Sequence, residues 1–201
     1  MTVSIVAVGI DKWNDNSLPM IESVKKFEPD ADIVLVDNAA DEPYPTDAGA
    51  RVVRLDKRVS MAEAMNYGAR FLPDDWTVAI FVNNDIICTA PYIDYVEEHC
   101  RYGVYGVDIL NWWKQSWIDG WVMAIDRNVW REVGKFDKNF KYAGFEDADY
   151  CFRAQRVGFD VQHRDLPFVH KEAHSRFTMP NYMSQREENI KYLCKKWDIE
   201  R

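Results

Sequence analysis

Residues 3–8, 33–36 and 78–82 are apolar at almost consecutive positions rather than at alternate ones. A strand of that kind must be covered on both faces, and the usual solution is a parallel sheet with helices packed above and below it. The intervening segments supply such helices. In residues 17–27, Leu18, Ile21, Val24 and Phe27 stand at helical spacing behind a Ser/Asn cap and an early Pro19. Residues 60–71 open on a capping box formed by Ser60 and Glu63, and residues 51–55 read as a further strand after the turn-rich stretch 41–49. The expected class is α/β, with a Rossmann-like, mostly parallel sheet and helices on both faces.

In open sheets of this type the ligand sits beyond the carboxyl ends of the strands. That rule gathers Gly9 and Asp11, Asp37 and Asn38, and Asn83-Asn84-Asp85 onto one rim, which makes the first half a candidate nucleotide pocket. The second half differs in character. Trp112, Trp113, Trp117 and Trp121 crowd a loop-like segment interleaved with Asn111, Lys114, Gln115 and Asp119. After it come a strand at 121–125, a short helix capped by Asp126 and ended by Gly134, and a helix from about Glu146 closed by Gly158. Residues 160–162 and 167–169 read as short strands, and 181–197 as a charged helix. With 201 residues, 47% of them hydrophobic, the chain can fill one core. One domain is expected over 1–201: a nucleotide-binding half to about 85, an acceptor and catalytic half from about 86 to 180, and a terminal helix.

Charge limits the partners. Lys and Arg number 25 against 33 Asp and Glu, a formal net charge of −8, and no basic stripe is present to follow a phosphate backbone. Nucleic acid is disfavoured. An anionic nucleotide would need a divalent cation, or a local cluster of Arg, Lys and backbone N–H groups, to offset repulsion. Cys88, Cys100, Cys151 and Cys194 stand far apart, with no zinc-type spacing, as thiols in a reducing compartment do. No run of about 18 apolar residues suggests a membrane span, and residues 2–10 lack a basic leader, so a cytoplasmic protein is expected.

Several residues are suited to chemistry, and each has a plainer reading beside it. Asp85 at a strand end can hold Mg²⁺ or Mn²⁺, or simply begin a turn. Glu146 and Asp147 at a helix start complement its dipole, but with Asp149 they place three acids within four residues, which raises a pKa towards the range useful to a general base. His170 closes a probable strand and is either a packed residue or a metal ligand; His163 and His174 are weaker candidates. The tryptophans can pack in the core or stack on a sugar or base. Asn66 lies on the 60–71 helix, where a solvated polar face is the ordinary reading.

Taken in order, these segments resemble the family 2 glycosyltransferases, which have the GT-A fold. The matching stretches are Val36-Asp37-Asn38, Ala64-Met65-Asn66-Tyr67-Gly68, Asn83-Asn84-Asp85 in the place of the DXD motif, Gly134-Lys135-Phe136-Asp137, and Gly144-Phe145-Glu146-Asp147-Ala148-Asp149 followed by Arg153, Gly158 and His170. The resemblance implies a nucleoside-diphosphate sugar donor and a hydroxyl acceptor on a glycan, glycolipid, protein or modified base, with inversion at the anomeric carbon. It implies that Asp37, Asn66 and the Gly9 segment, with Asn38, Asn83 and Asn84, meet the nucleotide. Asp85 and His170 would hold Mn²⁺ or Mg²⁺, Asp147 would be the general base, and Glu146 would support it. Asn83 replaces the first acid of the DXD pattern and leaves one carboxylate there. Two other readings stand beside this one. A nucleotidyltransferase would need a Gly-rich basic loop after the first strand, where this chain has Gly9-Ile10-Asp11-Lys12-Trp13. A non-catalytic nucleotide-sugar or carbohydrate binding module would keep the fold without turnover.

Overall fold

A computed structural model describes residues 2–112, 115–171 and 181–200, with the backbone alone for Trp112. The apolar runs form β1 (Thr2–Gly9), β2 (Asp32–Asp37) and β4 (Trp76–Asn83), and the 51–55 segment gives β3 (Arg51–Arg54). These four lie in the order β3-β2-β1-β4 with every neighbouring pair parallel. The helices between them take opposite faces. Met20, Ile21 and Val24 of α1 (Leu18–Phe27) pack with Ile5, Ala7 and Leu35, while Ala62, Ala64 and Met65 of α2 (Met61–Gly68) pack with Val6, Val8 and Val36. β1, β2 and β4 are therefore buried on both sides, whereas the edge strand β3 buries only Val53, and each Ile or Phe so buried contributes about 1.5–3 kcal/mol.

The remaining strands complete the sheet as β10-β6-β9-β4-β1-β2-β3, using β6 (Gly103–Gly106), β9 (Val122–Asp126) and β10 (Asp160–His163). Among the described residues β9 alone runs against the others, pairing antiparallel with both β4 and β6. Its start therefore lies at the rim where its neighbours end, and Asn83 N–H donates to the Trp121 carbonyl at 3.1 Å. Strand register brings the expected rim together, since Gly9 stands opposite Asp37 and Val8 opposite Asn83.

Two small ribbons sit above this rim. β5 (Ile86–Cys88) pairs antiparallel with β11 (Phe168–His170), and β7 (Ile109–Trp112) pairs with β8 (Gln115–Ile118). Residues 109–112 and 115–118 of the tryptophan-rich stretch are thus paired strands rather than the loop expected from its mixed composition. Burial of Trp117 and Ile118 explains the pairing: Trp117 meets Phe152 edge-on at 6.1 Å. Phe152 belongs to α5 (Glu146–Val157); among the described residues α3 (Ile93–His99), α4 (Arg127–Val133) and α6 (Tyr182–Trp197) are the other α-helices of the second half. Among the described residues no helix is long and apolar enough to cross a membrane.

Candidate active site

A cleft of about 1120 Å³ opens over the strand ends, between the β1–α1 loop on one side and the segment leading into α5 on the other. Asp85 lies in its wall, in the turn between β4 and β5. Because β5 pairs with β11 in a register that sets Ile86 opposite His170, the histidine is delivered beside that turn, and Lys171 N–H donates to the Asp85 carbonyl at 2.8 Å. His170 Nε2 lies 2.9 Å from Asp85 Oδ1 and 3.4 Å from Asn83 Nδ2. Trp121 stacks flat on the imidazole, with ring centroids 5.1 Å apart and planes 3° from parallel, and so fixes its orientation. One carboxylate, one imidazole and a carboxamide form a donor set suited to a divalent ion such as Mn²⁺. Among the described residues no cluster of three or more His, Cys, Asp and Glu could hold an ion alone. The pair therefore fits an ion whose other ligands come from phosphate and water.

Across the cleft, Glu146 and Asp147 begin α5. Phe145 occupies the cap position at φ 73° with no side-chain capping bond, after Gly144 at φ 102° and Tyr142 at φ 56°. A left-handed non-glycine residue costs roughly 1–2 kcal/mol, so the entry to this helix is held by its surroundings. Asp147 Oδ2 accepts from Gly120 N–H and Oδ1 from Ala148 N–H, both at 2.8 Å. Burial, then the nearby Asp119 carboxylate, pushes Asp147 above the usual carboxylate range. Glu146 is raised further by burial and by Asp147, and its Oε2 has no hydrogen-bond partner. An acid so placed retains its proton to higher pH. The third acid, Asp149, belongs to a different environment: it is fully buried and bonded to Arg153 at 2.9 Å, Lys196 at 2.7 Å and Trp197 at 3.0 Å. It is a structural anchor, and the crowding that raises the pKa comes from Asp119 instead.

Other residues singled out in the sequence have quite specific places. Asn38 clamps Val59, donating to its carbonyl at 3.0 Å and accepting its N–H at 2.9 Å, at the edge of the cleft. Asn66 makes the same two-way bond to Phe136, at 2.8 and 2.9 Å, away from the cleft lining. Asp37 is fully buried and also stands back from the cleft; it accepts from Ala40 and Tyr44 N–H groups and from Arg54, and thereby shapes the loop that follows β2. Gly9 admits Tyr44, because a Cβ there would lie 2.7 Å from the phenol oxygen. Asn84 lines the cleft and donates to Ser17 Oγ at 2.9 Å. Trp117 and Trp121 are buried with only edges at the cleft, and Trp121 donates to Asp108 at 2.8 Å. The Trp112 side chain, Trp113 and His174 lie outside the described residues.

The charge problem posed by an anionic ligand is met only in part by side chains: Lys12, Arg58, Lys138, Lys141 and Arg186 line the cleft, but so do Asp11, Glu63, Asp85, Asp119, Glu146 and Asp147. Sequence reasoning did not single out Gly120 or Asn189, which make the backbone contacts around Glu146 and Asp147. The first holds Asp147; the second holds the backbone ahead of Glu146, donating to the Lys141 carbonyl at 2.8 Å and accepting its N–H at 2.9 Å.

No protein-family model matches the sequence, and no curated protein matches it. Solved structures do. GalNAc-T7 with UDP, GalNAc and Mn²⁺ superposes with a TM-score of 0.77 at 15% identity, over 98% of this chain and 48% of that one. Mannosyltransferase PcManGT from Pyrobaculum calidifontis, in complex with GDP-Man and Mn²⁺, gives 0.69 at 13%, over 99% and 65%. TarS of S. aureus gives 0.62 at 11%, over 88% and 38%. This chain has the GT-A fold. It spans between 38% and 65% of the length of these structures. Within the GT-A fold, the reversed β9 is what places Gly120 and Trp121 between the Asp85–His170 pair and α5.

Proposed function

We propose that the protein transfers a sugar from a nucleoside-diphosphate sugar to an acceptor hydroxyl, in one in-line displacement with inversion, as family 2 glycosyltransferases do. The observation that carries this reading is that Asp85 and His170 share one cleft with the Glu146–Asp147 pair. Asp147 accepts the acceptor's proton as the hydroxyl oxygen bonds to the anomeric carbon, and the bond from that carbon to the diphosphate oxygen breaks. Glu146, protonated, donates a hydrogen bond to the acceptor. Asp85 and His170 would hold a divalent ion, Mn²⁺ or Mg²⁺, and the chemistry it would supply is charge stabilisation of the departing diphosphate.

The nucleotide lies over the strand ends beside Asn38, Asn83 and Asn84, with Lys12 and Arg58 near its phosphates, and the loop shaped by Asp37 and Tyr44 beneath. The acceptor enters past Trp117, Trp121 and the exposed Leu110. All four cysteines are free, in keeping with a reducing, cytoplasmic setting. A binding module without turnover has one observation in its favour, Asn83 in place of an acid. Release of UDP from UDP-GalNAc, or of GDP from GDP-mannose, decides between them. Turnover that falls about 10²- to 10⁴-fold in Asp147→Asn, with nucleotide binding retained, supports the transferase. Binding without any turnover in the unmodified protein establishes the module.

A further inference from the structure

We propose that Asn189, on the C-terminal helix α6, is a positioning residue for Glu146 and Asp147; the role rests on the reading of that pair as the catalytic acids. Asn189 is only 1% exposed. Its Oδ1 accepts the Lys141 N–H at 2.9 Å, and its Nδ2 donates to the carbonyls of Lys141 at 2.8 Å and Gly144 at 3.0 Å. One carboxamide thus gives Lys141 both of the bonds that a neighbouring strand would give, and it also holds the carbonyl two residues ahead of Glu146.

The segment it holds needs such support. Tyr142, Gly144 and Phe145 all have positive φ, and no side chain caps α5. Backbone in left-handed conformations persists only where the surroundings determine it. Glu146 and Asp147 are the first residues of α5, so the path of residues 141–145 sets where both carboxylates point. Helix α6 is itself tied on either side of this segment. Lys196 bonds Asp137 and Asp149 at 2.7 Å each, and the Arg186 guanidinium lies 5.0 Å from the Phe145 ring centre. Tyr182 and Arg186, about two turns and one turn before Asn189, line the cleft. The helix therefore braces this segment along its length, and Asn189 supplies the hydrogen bonds to its backbone.

The test compares Asn189→Ala and the isosteric Asn189→Asp, which keeps the acceptor and loses the donors, with Ile190→Ala. Ile190 is buried in the core beside them and makes no bond to the loop. Three quantities are read for each: UDP and GDP affinity with Mn²⁺, turnover of UDP-GalNAc and GDP-mannose, and deuterium exchange over 141–147. Both Asn189 variants are expected to lose about 10- to 100-fold in kcat, the scale of a small misplacement of reacting groups. Their nucleotide affinity should stay within about threefold, and exchange over 141–147 should rise. Ile190→Ala should keep kcat within about twofold despite a lower Tm. Equal loss of kcat in Ile190→Ala, or unchanged turnover in either folded Asn189 variant, overturns the assignment. If the unmodified protein turns over neither donor, the transferase reading falls separately. Exchange then decides the brace: faster exchange in Asn189→Ala alone supports it, and equal protection overturns it.

Discussion

Asp147 shows how much of this site depends on single backbone groups. Its Oδ2 takes the Gly120 N–H, and a Cβ built on Gly120 would lie 2.9 Å from that same oxygen. Gly120→Ala should therefore displace the carboxylate and lower kcat at least about tenfold, the cost of a modest misalignment, with little change in Tm; steady-state kinetics and a melt check this. Both Asp147 and Glu146 titrate above the ordinary carboxylate range. As pH falls through these raised values the base is protonated, so the acid limb of the rate profile belongs well above the ordinary value of about 4. The sign for stability follows from the same shift. The folded state keeps protons that the unfolded chain has released, so the stabilisation is complete below the unfolded pKa and is lost as pH rises through the folded one. Glu146→Gln removes that loss, and its Tm should exceed that of the unmodified protein at pH 8 but not at pH 4, while turnover falls. Asp137 behaves oppositely: burial would raise it, but bonds from Lys196, Asn139 and Tyr192 outweigh this and hold it at about 2, so its contribution is present above about pH 4 and fades as pH falls towards about 2.

At the scale of elements, α6 matters more than its charged sequence suggests. Lys196 bridges two carboxylates, one of them the fully buried Asp149. Lys196→Met should cost about 2 kcal/mol, the scale of a charged hydrogen bond lost from a buried acceptor, read as a lower urea midpoint. The four parallel strands, the Asp126 and Ser60 caps and the Gly158 helix end were legible in the sequence because each leaves a local signal: consecutive apolar residues, a cap, a terminating glycine. β6 was not, since its four residues Gly103–Gly106 are glycine at both ends. α3 is seven residues long, too short to show a helical period. The reversal of β9 left no trace either, because a strand buried on both faces has the same pattern in either direction. Asn38, Asn66 and Asn189 illustrate the limit for side chains. A carboxamide that clamps distant backbone has the same composition as one that meets a ligand, and only the long-range partner separates them.

For the molecule as a whole, an acidic chain is arranged to receive an anion. The net charge of −8 is only partly offset at the cleft, where Lys12, Arg58, Lys138, Lys141 and Arg186 stand among six carboxylates, and in the proposed reading Asp85 and His170 would supply only part of a metal's coordination. That division has a thermodynamic consequence. In the proposed reading metal and diphosphate would each complete the other's site, so their binding should be strongly synergistic, and by linkage each would raise the affinity of the other equally. Asp85 and His170 drew notice in the sequence because each ends an apolar segment, but their 2.9 Å approach depends on the pairing of β5 with β11, a contact between distant segments that no local pattern specifies. The most direct measurement is calorimetric titration with UDP, GDP, ADP, TDP and CDP, each with and without Mn²⁺, on the unmodified protein and on Asp85→Ala. The account predicts selective binding of one nucleotide, strengthened by Mn²⁺ and reduced to the metal-free level by Asp85→Ala. No binding of any of them by folded protein with Mn²⁺ present, or binding indifferent to both Mn²⁺ and Asp85, would contradict it.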